Sequence, residues 1–433
     1  MGTLRRAGLP VLLTLLLAVV TAPARAAYES RAERRSPAHP RVILAPRAEA
    51  AEATLLVIFR AGAADDGIQY GLTRLSQHML LESNARVPHE AFWRDAYGAA
   101  AAVQIGTSVR QATFSLTAPK GKFDALATKL LEMTLDPKLK DSGLKRAKSL
   151  TLADELESGG LEDLISFVAS RLILEGTKSG GDYNNEPYGD RDTVRRMTFA
   201  DVERHVREHL NPANATVIVT GAFDPRRIGK ALAKLKGGRA RPFDRPDIKQ
   251  YLPLTFDRWA PREIHLQVQL LDLKSPRDVA AAHLLAAILQ ERMQWQLRRL
   301  GVTYSVLVTP VLREWADLMV VMVPVGSSED VLVELEIRKL LDGLAEGSFL
   351  GDEFERNKSY LLDELVRIDA DPPALAHALA FGAGRIAWLS PTVVEHVRAF
   401  SQAEFVSTVR PWLAKESSAN VLFGRSRAVP VKR

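Results

Sequence analysis

The stretch TFADVERHVREHLNPANATVIVTG, Thr198 to Gly221, has a counterpart in SQAEFVSTVRPWLAKESSANVLFG, Ser401 to Gly424. Laid over each other without a gap, they put Ala200 on Ala403, Asp201 on Glu404, Val206 on Val409, Leu210 on Leu413 and Gly221 on Gly424. Thr198 and Asp201 supply helix-start chemistry, NPAN is a turn, and the β-branched run ATVIVTG reads as a strand. A helix-then-strand unit that recurs far down the chain points to a duplication, so two homologous α+β domains are expected.

Working outward, RVILAP and ATLLVIFRAG read as strands, YGLTRLSQHMLLES and HEAFWRDAYGAAAA as helices, and RQATFSLTAP as a strand. Three or more amphipathic helices follow between Lys122 and Thr177. The second half repeats the plan: strand EIHLQVQLLDL, a helix from Arg277 to about Leu300, strands TYSVLVTPV and ADLMVVMVPV, then more helices. The expected division is a signal peptide over 1–26, a flexible arm over 27–40, an N-terminal domain over 41–235, a linker over 236–258 and a C-terminal domain over 259–433. Each domain should be a mostly antiparallel sheet packed with helices.

The first segment carries Arg5 and Arg6, the apolar run GLPVLLTLLLAVV, and small residues at Ala24 and Ala26 that suit cleavage after Ala26. An exported protein, periplasmic or secreted, is therefore expected. Later apolar runs are too short for a spanning helix. With no cysteine, neither disulfides nor an N-terminal lipid anchor is available, so stability must come from packed cores. Three of the charges in the formal +6 belong to Arg5, Arg6 and Arg25, leaving +3, which gives no reason to invoke nucleic acid or a membrane surface.

HVREH, His205 to His209, spells the inverted zinc-protease signature. Two histidines one turn apart give two ligands where zinc needs at least three protein ligands. The third ligand of inverted-motif peptidases, counted from His209, falls on Ala286, which cannot ligate. Val202, Val206 and Leu210 form an apolar stripe that His205 and His209 flank, and the repeat holds Thr408 and Trp412 in their place. The pattern is expected to be a chance match.

GLTRLSQHMLLES, Gly71 to Ser83, follows a strand ending in FRAG and resembles the motif segment of the pitrilysin/insulinase family of zinc peptidases, which reads roughly GLAHLLEHMLF. The resemblance continues through NEPYGDRDTVRRMTFADVERHVREHLNPANATVIVTG and RRLGVTYSV. It implies that each pair of domains is half of a clam-like chamber. In this register the family's first zinc histidine falls on Arg74, its catalytic glutamate on Gln77, its second histidine on His78 and its third ligand on Glu155, while Lys148 replaces an accessory glutamate.

A guanidinium has no lone pair for a metal, and an amide cannot take a proton from water. No metal, no cofactor and no catalytic residue are therefore expected in this chain, and Arg74 is expected to pair with Glu155 in the ion's stead. Zinc is expected only in a partner subunit.

Some family members work as two chains, one bearing zinc. The resemblance then implies that an Arg and a Tyr of the second domain hold the substrate backbone. Tyr304 takes the tyrosine position; Arg292 and Arg298 match the helix pattern R-x-x-x-x-L-R, and Arg298 is taken as the arginine although it stands six residues before Tyr304 where the family usually has seven and an ungapped count gives Leu297. A phenol and a guanidinium could both donate to a peptide carbonyl. Peptide or unfolded polypeptide is expected to add as a strand along an edge within GAAAAVQIGTSVRQATFSL. The sequence reading is thus a non-catalytic, substrate-contacting subunit beside a homologous zinc-bearing partner. A scaffold without peptidase role and an active zinc enzyme using His205, Glu208 and His209 are the alternatives.

Overall fold

The computed structural model describes residues 32–34, 38–157, 188–240, 254–256, 263–312, 317–325, 329–381, 391–414 and 418–423. The expected signal peptide lies outside the described residues, as does most of TKSGGDYNNEPYGD.

The first half contains β1 (Ala32–Arg34), β2 (Arg41–Pro46), β3 (Glu52–Phe59), α1 (Leu72–Glu82), α2 (His89–Gly98), β4 (Ala102–Thr107), β5 (Ala112–Pro119), α3 (Phe123–Leu135), α4 (Leu144–Glu157), α5 (Arg191–Arg196), α6 (Phe199–His209), β6 (Ala215–Gly221) and α7 (Pro225–Leu232). Its sheet runs β1-β2-β6-β3-β5-β4, antiparallel except for the β2–β6 pair. Part of the stretch read as a flexible arm forms β1.

The second half contains β7 (Leu254–Phe256), β8 (Glu263–Leu271), α8 (Pro276–Arg299), β9 (Leu307–Leu312), β10 (Asp317–Val325), α9 (Asp330–Ala345), α10 (Glu353–Ala370), α11 (Pro372–Phe381), α12 (Pro391–Ala399), α13 (Gln402–Val409) and β11 (Ser418–Phe423). Its sheet runs β7-β11-β8-β10-β9, with β11 parallel to β7 and antiparallel to β8. Substituting β2, β6, β3, β5 and β4 reproduces that order and those directions, so the duplication extends to topology. The strand β7 falls inside the stretch read as a linker and joins the second sheet.

Aligned chemistry starts the paired helices. Thr198 and Asp201 close a reciprocal capping box on α6, and Ser401 and Glu404 close the same box on α13. The paired strands β6 and β11 then begin at aligned positions, Ala215 and Ser418. The longest helix, α8, also begins with a capping box, from Ser275 and Asp278, with Pro276 in its first turn.

Successive residues of a strand point to opposite faces, and the central strands of the first sheet bury both. Leu55, Val57, Phe59, Val217 and Val219 face a core made with α1, α3 and α6. Ile43, Ala45, Leu56, Ile58 and Ile218 face the core of the second half, where Leu375, Ala376 and Leu379 of α11 cover them. Two polar ties flank this contact: Thr220 Oγ1 donates to Pro372 O at 2.6 Å, and Arg47 Nη2 reaches both Asp369 oxygens at 3.1 Å. No described helix is long and apolar enough to cross a membrane.

Candidate functional site

Every residue of α1 is buried, although the helix carries Thr73, Arg74, Ser76, Gln77, His78 and Glu82. A helix enclosed on all sides is ordinarily apolar all round, and buried polar groups are costly without partners. The partners of these side chains therefore define what the site can do.

Arg74, 7% exposed, projects between α4 and the edge strand β4. Its Nε donates to Asp154 Oδ2 at 2.6 Å and its Nη1 to the Ile105 carbonyl at 3.1 Å. His78 Nε2 lies 2.6 Å from the same Asp154 oxygen. Burial alone would raise the Asp154 carboxyl, but the bonds from His78 and Arg74 and the guanidinium charge outweigh it and hold the acid below its ordinary range. The expected partner, Glu155, lies one position further along α4, and its side chain is outside the described residues. The carboxylate that the structure places on Arg74 is Asp154.

Gln77 is fully buried, and its amide is used up on the sheet. Its Nε2 donates to Gly106 O at 3.0 Å and Thr113 O at 2.9 Å, and its Oε1 accepts from Thr107 Oγ1. It thus straddles the β4–β5 pair at Gly106 and Thr113. Lys148 points elsewhere, its Nζ donating to the Arg195 carbonyl in the last turn of α5 at 2.7 Å. Glu82, at the other end of α1, meets Arg146 Nε at 2.6 Å and accepts from Trp93 Nε1 at 3.1 Å.

These donors do not suit zinc. Arg74 brings a fixed positive charge and no lone pair, and Gln77 has neither the charge nor the basicity to take a proton from water. His78 Nε2 and the Arg74 guanidinium both meet Asp154 Oδ2, so that oxygen and that ring nitrogen are engaged with protein partners. A cavity of about 500 Å³ opens beside His78, bounded by Trp93 and Tyr97 of α2 and by Val103 and Ile105 of β4. The strand β4 ends its sheet, where the sequence placed the edge, and Arg74 already occupies the Ile105 carbonyl on it.

The entry to α1 is built around a second buried acid that the sequence reading missed. Asp66 Oδ1 accepts from Thr73 N at 2.8 Å and Thr73 Oγ1 at 2.6 Å, while Oδ2 accepts from Gly71 N at 2.9 Å. Burial pushes its carboxyl up to about 7 in spite of those bonds. The chain reaches this helix start through Gly71, at φ +90°, against Gly189, at φ +73°. A Cβ on Gly189 would stand 2.2 Å from the Tyr70 carbonyl. That close approach sets Tyr188 over Arg74, with Cζ 5.5 Å from the ring centre.

HVREH packs on the same helix start. Buried His205 places Nε2 2.9 Å from Thr73 Oγ1, and its ring stacks on His209 with centres 4.6 Å apart. Glu208 is turned out to solvent, its side chain 53% exposed. Among the described residues no group of three or more His, Asp or Glu side chains is arranged to hold a metal ion.

In the second half the structure separates the two arginines of the pattern. Arg292 is buried and bidentate on Glu353, with Nε–Oε1 and Nη2–Oε2 both at 2.6 Å. Leu297 is 1% exposed in the core. Arg298, in the last turn of α8, lays its guanidinium over Tyr304 with Cζ 5.6 Å from the ring centre, and Tyr304 is 82% exposed. Of the two arginines of the pattern, Arg298 is the one whose guanidinium lies against the tyrosine.

Residues 41–172 match the family model described as Insulinase (Peptidase family M16). No curated protein sequence matches the chain. Among solved structures, a peptidase M16 inactive domain from Pseudomonas fluorescens is 18% identical with TM-score 0.74, covering 92% of this chain and 98% of that one. A protease from Helicobacter pylori is 13% identical with TM-score 0.75, covering 91% and 99%. The first half of the periplasmic protease PqqL from Escherichia coli is 14% identical with TM-score 0.70, covering 92% of each, and the match takes up 47% of the whole PqqL chain. The segment matched by the insulinase family model holds the motif helix, and the fold of both halves is the one these solved structures share.

Proposed function

We propose that this protein is an exported, non-catalytic subunit of a two-chain zinc peptidase, lending substrate-binding surface to a homologous partner that carries the metal. The observation that carries the reading is the Arg74 guanidinium on Asp154, at the same carboxylate oxygen that His78 meets. It supplies positive charge between α1 and α4 without a Lewis acid, so the helices can pack as they would around an ion while the chemistry is lost. The amide of Gln77 supports the same reading, because it is consumed by β4 and β5 and is no base. One solved neighbour is the first half of a longer protease, and this protein's match spans 47% of that whole chain. A second half supplied as a separate chain would complete that arrangement. Tyr304 and Arg298 are the surface we assign to the substrate backbone, and the leader-like first residues support export.

The test is to purify the chain alone and with a homologue bearing an intact His-x-x-Glu-His, then to measure zinc content and peptide cleavage for each and for the mixture. Metal-free, inactive chain that raises the partner's activity is expected. Chelator-sensitive cleavage by the chain alone would overturn the proposal. A mixture whose activity ignores Tyr304→Ala would favour a scaffold.

A further inference from the structure

A groove of about 460 Å³ runs between α8 and α10, beside the Arg298–Tyr304 pair. Its walls carry Trp295 and Tyr360, which are 70% and 56% exposed. Large aromatic side chains left this open, clustered with arginine on one face, are the composition of binding hot spots rather than of ordinary surface.

The charges of the groove are unequal. Its one lining acid, Glu291, is already answered on both oxygens, by Arg356 Nη2 at 2.7 Å and Asn357 Nδ2 at 2.6 Å. Arg298 meets no carboxylate among the described residues; its contact is the Tyr304 ring. A guanidinium lying over a ring keeps its in-plane N–H fork available, which is the geometry that receives a carboxylate on two donors. Trp295 sits one turn before Arg298 on the same helix face, so an apolar surface and a carboxylate receptor lie side by side.

We propose that this groove takes peptide segments in which a carboxylate, from Asp, Glu or a chain end, adjoins a large apolar or aromatic side chain. The aromatic residue lies against Trp295 and Tyr360 while the carboxylate pairs with Arg298. The inference rests on the assignment of Arg298 and Tyr304 to substrate and adds the class of substrate that the surface selects.

The experiment uses the full chain and short fluorescein-labelled peptides read by anisotropy. One peptide carries Glu beside Phe, a second Lys beside Phe, and a third Glu beside Ala. The Glu–Phe peptide is expected to bind at least ~10-fold more tightly than either of the others, a difference of about 1.4 kcal/mol. Arg298→Ala and Trp295→Ala should each remove that preference, and Arg298→Glu should transfer it to the Lys–Phe peptide. The side chains are exposed, so the variants should fold, as thermal melts would show, and Arg299→Ala serves as the neighbouring control. Equal binding of acidic and basic peptides that still depends on Arg298 and Tyr304 would overturn the charge class and leave the substrate assignment standing. Binding indifferent to all of these residues would overturn both. Loss of the zinc-bearing partner, with peptide binding intact, in Trp295→Ala would overturn the proposal in favour of a subunit interface.

Discussion

Replacing Arg74 with leucine removes the donor to Asp154 Oδ2 at 2.6 Å, the donor to Ile105 O at 3.1 Å and the stack beneath Tyr188. Two unit charges about 4 Å apart attract by roughly 4 kcal/mol at an effective dielectric constant of about 20. Breaking one side of a buried pair typically costs about 3–5 kcal/mol, because the remaining charge is left uncompensated. Asp154 keeps 21% of its side chain in solvent and retains His78, so screening and that second donor bring the expected loss down to about 2–3 kcal/mol. Asp154→Leu should cost a similar amount. The double variant should fall short of the sum of the two by about 1–2 kcal/mol, since each single change already breaks the shared contact.

Urea unfolding at neutral pH, followed through the transition of the first half, measures all three changes. The pH dependence has a fixed sign. The Asp154 acid is held below its ordinary range, so the advantage of wild type over Asp154→Asn is complete above about pH 4 and is lost as pH falls through the lowered value. Additive single changes would refute the pairing, and coupling of the same size between Arg74 and Glu155 would show that the neighbouring carboxylate carries it.

Two further outcomes follow from buried carboxyls. Asp66, raised to about 7, keeps a proton in the fold that the unfolded chain has already released, so stability should decline as pH climbs from about 4 to about 7, by up to about 4 kcal/mol. Asp66→Asn should flatten that decline, and an unchanged slope in the variant would reject the assignment. Arg292→Met leaves Glu353, whose side chain is only 3% exposed, without its bidentate partner and should cost about 3–5 kcal/mol in urea titration; a loss under about 1 kcal/mol would contradict the buried pair.

The fold is legible in the sequence because its signals are local and repeated. A hydroxyl three residues before an acid starts the helix in both copies, and a short run with apolar residues ending in glycine closes both units. The motif helix and its substituted positions are equally readable, since Arg74 and Gln77 change the chemistry wherever they point. The partner of Arg74 is not. Counting along the chain selects Glu155, whose side chain lies outside the described residues, and the roll of α4 against α1, which no count supplies, turns Asp154 onto Arg74. Asp66 stays hidden for a related reason: nothing in DDGIQYGLT distinguishes an exposed loop acid from one enclosed by Gly71, Thr73 and the turn at Gly189. Arg292 and Arg298 fit one pattern in the sequence, and it takes the buried Glu353 beside Arg292 and the Tyr304 ring beneath Arg298 to tell them apart.

The docking of α11 bears on how this protein can be divided. Residues Ile43, Ala45, Leu56, Ile58 and Ile218 contribute a hydrocarbon surface whose cover is encoded some hundred and fifty positions or more downstream. A fragment cut at the stretch between the halves would therefore carry a raw, greasy flank with strands beneath it, prone to stick to itself. The first half therefore depends for the cover of its second sheet face on a helix that the second half supplies.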